Sequence, residues 1–305
     1  MVAPLPAPVL AWLGTSLGAE VRHLRPVSGG CIHQSWQVQR AGGGTAFLKT
    51  NVAAALPMLE AEVDGLRALA AWAPPELQIP SPLALAEVDG RALLLLSWLD
   101  LGPAASTDAE GGWRSLGQSL AQLHRASRSG NGGSGYGFGC DNYIGSAPQP
   151  NRWCSDWPRF FAEARLQPQL ERAARAGRPL RQADRLLALL PAWLAGHGAE
   201  PVLVHGDLWS GNAGLVAGGQ GALFDPACHW ADREVDLAMA HLFGGFPASF
   251  FSGYETEWPL PAGARQRRDL YNLYHLLNHA NLFGGSYWQA SQACIDGVLA
   301  AGPPG

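Results

Sequence analysis

The chain has 305 residues, 47% of them hydrophobic and 15% charged, with a formal net charge of −4 at pH 7. That length supports two lobes with sizeable cores, and that balance excludes a disordered chain. The net charge gives nucleic acid and anionic membranes no electrostatic foothold, and no apolar run approaches the roughly 20 residues of a membrane span.

The first ten residues place no basic stretch ahead of their apolar ones, and the five cysteines form no C-x-x-C pair. The sequence therefore predicts a cytoplasmic protein without a disulfide framework or zinc site. Pro8 to Leu17 predict a short helix stopped at Gly18. Three strands follow, Val21 to Pro26, Gln34 to Gln39 and Thr45 to Thr50, joined by a tight Gly turn (Val27 to His33) and a Gly-rich loop. This is an antiparallel meander. Lys49, on the third strand, is the only lysine in the chain, against twenty arginines. A compact ammonium that reaches phosphate oxygens is a role arginine fills poorly. The next helix, Pro57 to Trp72, offers Glu60 and Glu62 as partners for it; two positions apart, they point to different faces. Pro80 to Glu87 and Arg91 to Trp98 flank Asp89-Gly90, a hairpin signal, with Leu93 to Leu96 as a central strand. Leu101 to Glu110 is a Pro/Ala/Ser-rich loop.

Beyond it the chain turns helical. Helices are predicted over Trp113 to Ser127, Trp153 to Ala176 and Pro179 to Leu194. Between the first two lie a Gly/Ser-rich stretch, Arg128 to Gly139, and an irregular one, Tyr143 to Asn151. Pro201 to Val204 reads as a short buried strand leading into His205-Gly206-Asp207-Leu208-Trp209-Ser210-Gly211-Asn212. Ala213 to Val216 and Gly221 to Phe224 then predict a hairpin around Ala217 to Gln220. A hairpin returns the chain to its start, so Asn212 and Asp225 share its open end. Asp207 is the candidate base, and Asn212 and Asp225 are oxygen ligands for a hard cation such as Mg²⁺. Phosphoryl transfer needs this set. Asp232 to Asp236 opens a helix running to about Leu242, in which Asp236 braces the catalytic loop. Arg265 to Phe283 and Ser286 to Ala301 are the last predicted helices. His275 and His279 are four apart, but no Glu follows in H-E-x-x-H form, so the pair reads as a polar stripe.

The pattern H-x-D-x-x-x-x-N followed by Asp225 resembles the catalytic loop and metal-binding Asp of protein kinases. The fuller string His-Gly-Asp-Leu-Trp-Ser-Gly-Asn, with Phe224-Asp225-Pro226-Ala227 and Asp232 to Ala238, resembles the fructosamine kinase (ketosamine-3-kinase) family. That family is a branch of the protein-kinase-like fold related to aminoglycoside and choline phosphotransferases. Asp141 to Gly145, Pro148 to Asn151, Phe160 to Glu163 and Asn281 to Gly285 resemble further family motifs in the family's order, so the resemblance runs from about Val27 to the C-terminus.

The resemblance implies an α+β, two-lobe fold. A small antiparallel-sheet N-lobe (1–98) binds the nucleotide, a hinge spans 97–101, and a larger, mainly helical C-lobe (99–305) carries catalysis and the acceptor. It implies ATP held by Ser28, Gly29, Gly30, Lys49 and Glu62, and by the hinge backbone at Ser97 and Leu99. The family pattern Ala61-Glu62-x-x-Gly65-Leu66 selects Glu62 over Glu60. Asp207 is the implied base, with Mg²⁺ on Asn212 and Asp225. The implied acceptor is the 3-hydroxyl of a ketosamine, a fructosamine or ribulosamine, free or on a glycated protein, in protein deglycation. Trp209, beside the base, offers an apolar face for a sugar; Trp230, Asp232 and Trp288 are further candidates. Neither nucleic acid nor membrane is an expected partner, and the expected state is a monomer or weak dimer. Gly206 stands where protein kinases carry Arg, and Pro226-Ala227 replaces Phe-Gly, so a small-molecule acceptor is expected rather than control by a phosphorylated loop. Cys31, in the nucleotide loop, is a candidate for oxidation, or pairing across two chains, that blocks ATP entry. Two alternatives stand. An aminoglycoside- or choline-type phosphotransferase would suit a more acidic cleft. A non-catalytic kinase-like nucleotide-binding protein would be expected to lack one of Lys49, Asp207, Asn212 or Asp225, and all four are present.

Overall fold

A computed structural model describes residues 5–27, 32–102, 109–128, 130–194 and 196–303. Ser28, Gly29, Gly30 and Cys31, expected over the nucleotide phosphates, lie outside the described residues.

The N-terminal part is a five-stranded antiparallel sheet between two helices. The strands are β1 (Val21–Val27), β2 (Gln34–Arg40), β3 (Thr45–Val52), β5 (Pro82–Val88) and β6 (Arg91–Ser97), in the order β1-β2-β3-β6-β5. The turn between β5 and β6 is tight: Asp89 and Gly90 both take positive φ, 52° and 70°, as an Asp-Gly hairpin requires. Side chains alternate across the sheet. Trp36, Val38, Ala46, Leu48, Leu93 and Leu95 face helix α1 (Ala7–Leu17) through Val9 and Leu13. Ala92, Leu94 and Leu96 face helix α2 (Leu56–Trp72) through Leu59, Val63 and Leu66. Lys49, one step from Leu48, therefore falls on the α2 face.

β4 (Leu77–Gln78), which the sequence pattern does not predict, pairs in parallel with β11 (Gly221–Leu223) and ties the first lobe to the catalytic hairpin. The second lobe is mainly helical. It holds α3 (Ala109–Ser127), α4 (Trp157–Phe160) continuing through a π-turn (Phe161–Leu166) into α5 (Gln167–Arg175), and α6 (Ala183–Leu194). It ends with α7 (Glu234–Leu242), α8 (Ala248–Glu257), α9 (Ala264–Phe283) and α10 (Tyr287–Ala301). Two apolar clusters fill it, one under α3 and α8 and one among α4 to α6, α9 and α10. The sequence pattern does not predict α8. It packs on α3 because two glycines let the backbones close up: a Cβ on Gly117 would meet Phe250 O at 2.0 Å, and one on Gly253 would meet Arg114 O at 2.1 Å.

Several boundaries differ from the periodicity. The fourth helix starts at Trp157 rather than Trp153, because the Asp156 carboxylate accepts the Arg159 amide at 2.8 Å and caps it there. Cys154 instead pairs with Tyr136. α6 starts at Ala183 rather than Pro179, after Gln182 takes a positive φ of 60°. Residues Asn142–Ile144 (β7) and Ala147–Gln149 (β8) form a small hairpin where an irregular stretch was expected. β12 (His229–Ala231), also unexpected, pairs antiparallel with β9 (Val202–Val204). No helix among the described residues is long and apolar enough to cross a membrane.

Candidate active site

β9 is buried along its length and delivers His205 and Asp207 to the cleft between the lobes. At Gly206 the chain turns with φ 82°, and a Cβ there would meet Ala227 O at 2.1 Å. No side chain fits, so the position open to Arg in protein kinases is closed here by backbone. His205 is buried, and its ring braces the loop. Nε2 is 2.9 Å from Phe224 O, and Nδ1 accepts the Asp207 amide at 3.3 Å. Burial holds this imidazole below the ordinary histidine value, so it is neutral.

β10 (Ala213–Leu215) and β11 form the expected hairpin. Its open end is closed by Phe224 N donating to Asn212 O at 3.0 Å. The Asn212 carboxamide nitrogen donates to Asp207 O at 2.9 Å, to Asp207 Oδ2 at 3.2 Å and to Asp225 O at 3.4 Å. Among the described residues no donor engages Asn212 Oδ1, which leaves that oxygen for a ligand. Asp225 takes a positive φ of 57°, a conformation Asp tolerates better than most residues but at some strain. Its side chain is 40% exposed. An amide oxygen and an exposed carboxylate are hard donors, so the pair fits Mg²⁺.

Lys49 is 4% exposed and lies between two carboxylates, 2.7 Å from Glu62 Oε1 and 2.5 Å from Asp225 Oδ1. Burial alone would depress its ammonium, but Asp225 and Glu62 outweigh that and hold it above the ordinary lysine value. Glu62 is 8% exposed on the inner face of α2, while Glu60 is exposed to solvent. Asp207 is part-exposed. Desolvation, reinforced by the charge of Asp225, pushes its carboxyl up to about 7, against the Asn212 hydrogen bond. A cation on Asn212 and Asp225 would pull it back down.

The loop is held from behind by Asp236 on α7. Its carboxylate accepts the His205 amide at 2.7 Å and the Gly206 amide at 2.8 Å, and lies 3.2 Å from His124 Nε2. The β7–β8 hairpin braces the segment after Asp225. Asn142 donates to Cys228 O at 2.8 Å, and Gln149 to Ala227 O at 3.1 Å. Asn151 in turn donates to Asn142 Oδ1 at 2.7 Å and accepts from buried Arg165. These are the residues of the Asp141 and Pro148 motifs, and they hold backbone rather than ligand. Spacing could not reveal that, because the partners lie about eighty residues away.

The chain crossing from β6 docks on the catalytic hairpin: Gly102 N donates to Leu215 O at 2.9 Å and Ala217 N to Asp100 O at 3.0 Å. The Ser97 hydroxyl accepts the Ser81 amide at 2.8 Å, and Leu99 is part-exposed nearby. Trp209 is 39% exposed, with its ring folded over Gly211, where a Cβ would meet ring carbons at 2.2 to 2.6 Å. Trp288 is part-exposed at the start of α10, over Gly284.

Two of the acceptor candidates do not join this group. Asp232 is 3% exposed, and its carboxylate is committed to Tyr271 OH (2.5 Å), His197 Nε2 (3.0 Å) and the Glu234 amide (3.1 Å). Burial would raise this carboxyl, but His197 and Tyr271 hold it below the usual range. His197, Asp232 and Glu234 lie close enough to hold a metal, yet Arg267 already pairs with Glu234 through two hydrogen bonds of 2.7 and 2.8 Å. Trp230 sits on β12, packed between Phe138 and Trp153, in a separate hollow. The His275–His279 pair belongs to no group of three possible metal ligands among the described residues, and His279 Nδ1 lies 2.9 Å from His275 O.

A family model described as fructosamine kinase matches residues 9–301. A probable ketoamine kinase of Synechocystis sp. is 42% identical over 279 residues, 92% of this chain and 91% of that protein. The chloroplastic protein-ribulosamine 3-kinase of Arabidopsis thaliana is 35% identical over 98% of this chain and 90% of its own. The crystal structure of a Haemophilus somnus 129PT protein assigned as a fructosamine-3-kinase superposes with a TM-score of 0.84 at 28% identity, covering 96% of this chain and 97% of that one. The aminoglycoside phosphotransferase APH(4)-Ia, at 17% identity and a TM-score of 0.62 over 98% of this chain and 100% of its own, shares the fold alone.

Proposed function

The chain belongs to the fructosamine kinase family and is an ATP-dependent phosphotransferase of the protein-kinase-like fold; from that premise we propose that it phosphorylates the 3-hydroxyl of a ketosamine. The observation that carries the chemistry is the convergence of Asp207, Asn212, Asp225 and Lys49 at one end of one hairpin. Lys49, fixed by Glu62, neutralises α/β-phosphate oxygens of ATP, whose adenine meets the hinge backbone at Ser97 and Leu99. A divalent cation on Asn212 and Asp225 would supply charge neutralisation at the phosphates. Asp207 takes the proton of the acceptor hydroxyl. That oxygen forms the new bond to the γ-phosphorus as the bond from phosphorus to the β,γ-bridging oxygen breaks, and ADP leaves with the electron pair. His205 positions the base and moves no proton, being neutral and bound on both ring nitrogens.

Substrate class is supported by the family and by the names of relatives, one of which acts on protein-bound ribulosamines. Trp209, exposed and two residues past the base, is the apolar wall for the sugar, with Trp288 as a second. Repair of glycated proteins is the role that follows for such an activity in the cell. The test is ATP consumption with Mg²⁺ and a panel of a fructosamine, a ribulosamine, kanamycin and choline, with Asp207→Asn as control. Turnover on a ketosamine that vanishes in Asp207→Asn supports the reading. Turnover on kanamycin or choline alone would keep the chemistry and overturn the acceptor.

A further inference from the structure

Two residues after Glu62, Asp64 leaves α2 on another side of the helix, since two positions turn a side chain by about 200°. There it borders an open hollow of about 550 Å³ between α2 and the second lobe. Three aromatic rings also line it. Trp230 is flanked by Phe138, with centroids 6.0 Å apart and planes at 27°, and by Trp153, at 5.9 Å and 46°. Trp153 is exposed. The Trp230 indole N–H is already directed at Ser127 O, at 3.3 Å, and the ring is 9% exposed between its two neighbours, so it backs the wall while part-exposed Phe138 and exposed Trp153 present the open ring surface. Asp64 is the only charged side chain among the described lining residues, in a chain with twenty arginines. Cys140 completes the rim, its Sγ 4.0 Å from Asp64 Oδ2.

None of these residues serves the nucleotide or the base. Aromatic rings and an exposed carboxylate lining one hollow, with no basic side chain among its described lining residues, have the chemistry that holds organic cations: the rings attract the cation through their quadrupoles, and the carboxylate supplies the counter-charge. We propose that this hollow is a second small-molecule site, taking an organic ammonium cation whose charge pairs with Asp64 and whose apolar body lies on the Trp153 and Phe138 rings. Its occupant spans α2 and the C-lobe, and its existence does not depend on which acceptor the kinase uses.

The probe is benzyltrimethylammonium, which has no hydroxyl to phosphorylate, titrated into the full chain. Binding is read by tryptophan fluorescence and by the rate of Cys140 alkylation, mapped by mass spectrometry. The expected result is saturable quenching with slowed Cys140 alkylation. Asp64→Asn and Trp153→Ala should each weaken both by about fivefold or more. Asp64 is exposed, so Asp64→Asn should melt as the parent does; Trp153 packs on Trp230, so Trp153→Ala is titrated well below its own melting temperature. N,N-dimethylbenzamide, similar in size but neutral, should bind at least about fivefold more weakly. Absence of saturation, undiminished binding in both variants, or equal binding of the neutral amide would each overturn the proposal.

Discussion

Lys49 Nζ lies 2.5 Å from Asp225 Oδ1, although 176 positions separate them in the chain. The pair joins the lobes at the point where the proposed metal ligand and the phosphate-binding ammonium meet. Glu62 holds the same ammonium from the other side at 2.7 Å. Only a compact cation fits between two carboxylates this close, which gives a physical reason for one lysine in an arginine-rich chain. Lys49→Arg should therefore not rescue function. We expect Lys49→Arg and Lys49→Met each to lower kcat/KM for ATP by on the order of 10²-fold. Steady-state kinetics at saturating acceptor checks this; an arginine variant with parental kinetics would remove the role assigned to the ammonium.

Asp207 trades stability for function. Its folded-state pKa is raised to about 7 by desolvation and by Asp225. A raised carboxyl favours folding while protonated, so that contribution is lost as pH climbs from about 4 through 7. Asp207→Asn should abolish turnover and, at pH 8, leave stability equal to the parent or higher by on the order of 1 kcal/mol, a value reduced for the side chain's partial exposure. Thermal melts at pH 5 and pH 8 distinguish this. A variant less stable at both would show that the carboxylate is a net structural contributor.

Asp236 works in the opposite direction. Its carboxylate accepts two backbone amides and faces His124, and these partners hold it below the ordinary Asp value despite burial. A depressed carboxyl contributes stability above its unfolded value near 4, and that contribution is lost as pH falls through the folded one. Asp236→Ala leaves two buried amides and an imidazole without their acceptor and should cost about 3 kcal/mol at pH 7. Its deficit should shrink below about pH 4, where the parent loses the same interaction. Denaturant unfolding at pH 7 and pH 3.5 is the measurement.

Gly206 is fixed by space as well as by its dihedral. A methyl group there would lie 2.1 Å from Ala227 O, and that peptide is itself held by Gln149. Gly206→Ala should destabilise by about 2 kcal/mol or more and lower kcat by more than tenfold. A variant with parental melting would mean that the loop relaxes freely, contrary to the bracing described above.

Local spacing carried much of this protein. The nine residues after Leu203, the turn at Ala217 to Gln220 and the two apolar runs around it place Asp207, Asn212 and Asp225 together. A hairpin brings its ends back by backbone geometry alone, whatever the rest of the chain does. The rarity of lysine marked Lys49, and strand alternation fixed its face. Tertiary packing decided the rest, because it joins residues that no short-range period relates. It turned Glu62 inward and left Glu60 in water. It set Asp236 behind the loop through bonds to residues about thirty positions away, and it brought the Asn142 and Gln149 side chains to the carbonyls after Asp225. It also withdrew Asp232 into a buried ion-pair network and set Trp230 in a different hollow, since burial and partner depend on which helices and strands close over a side chain.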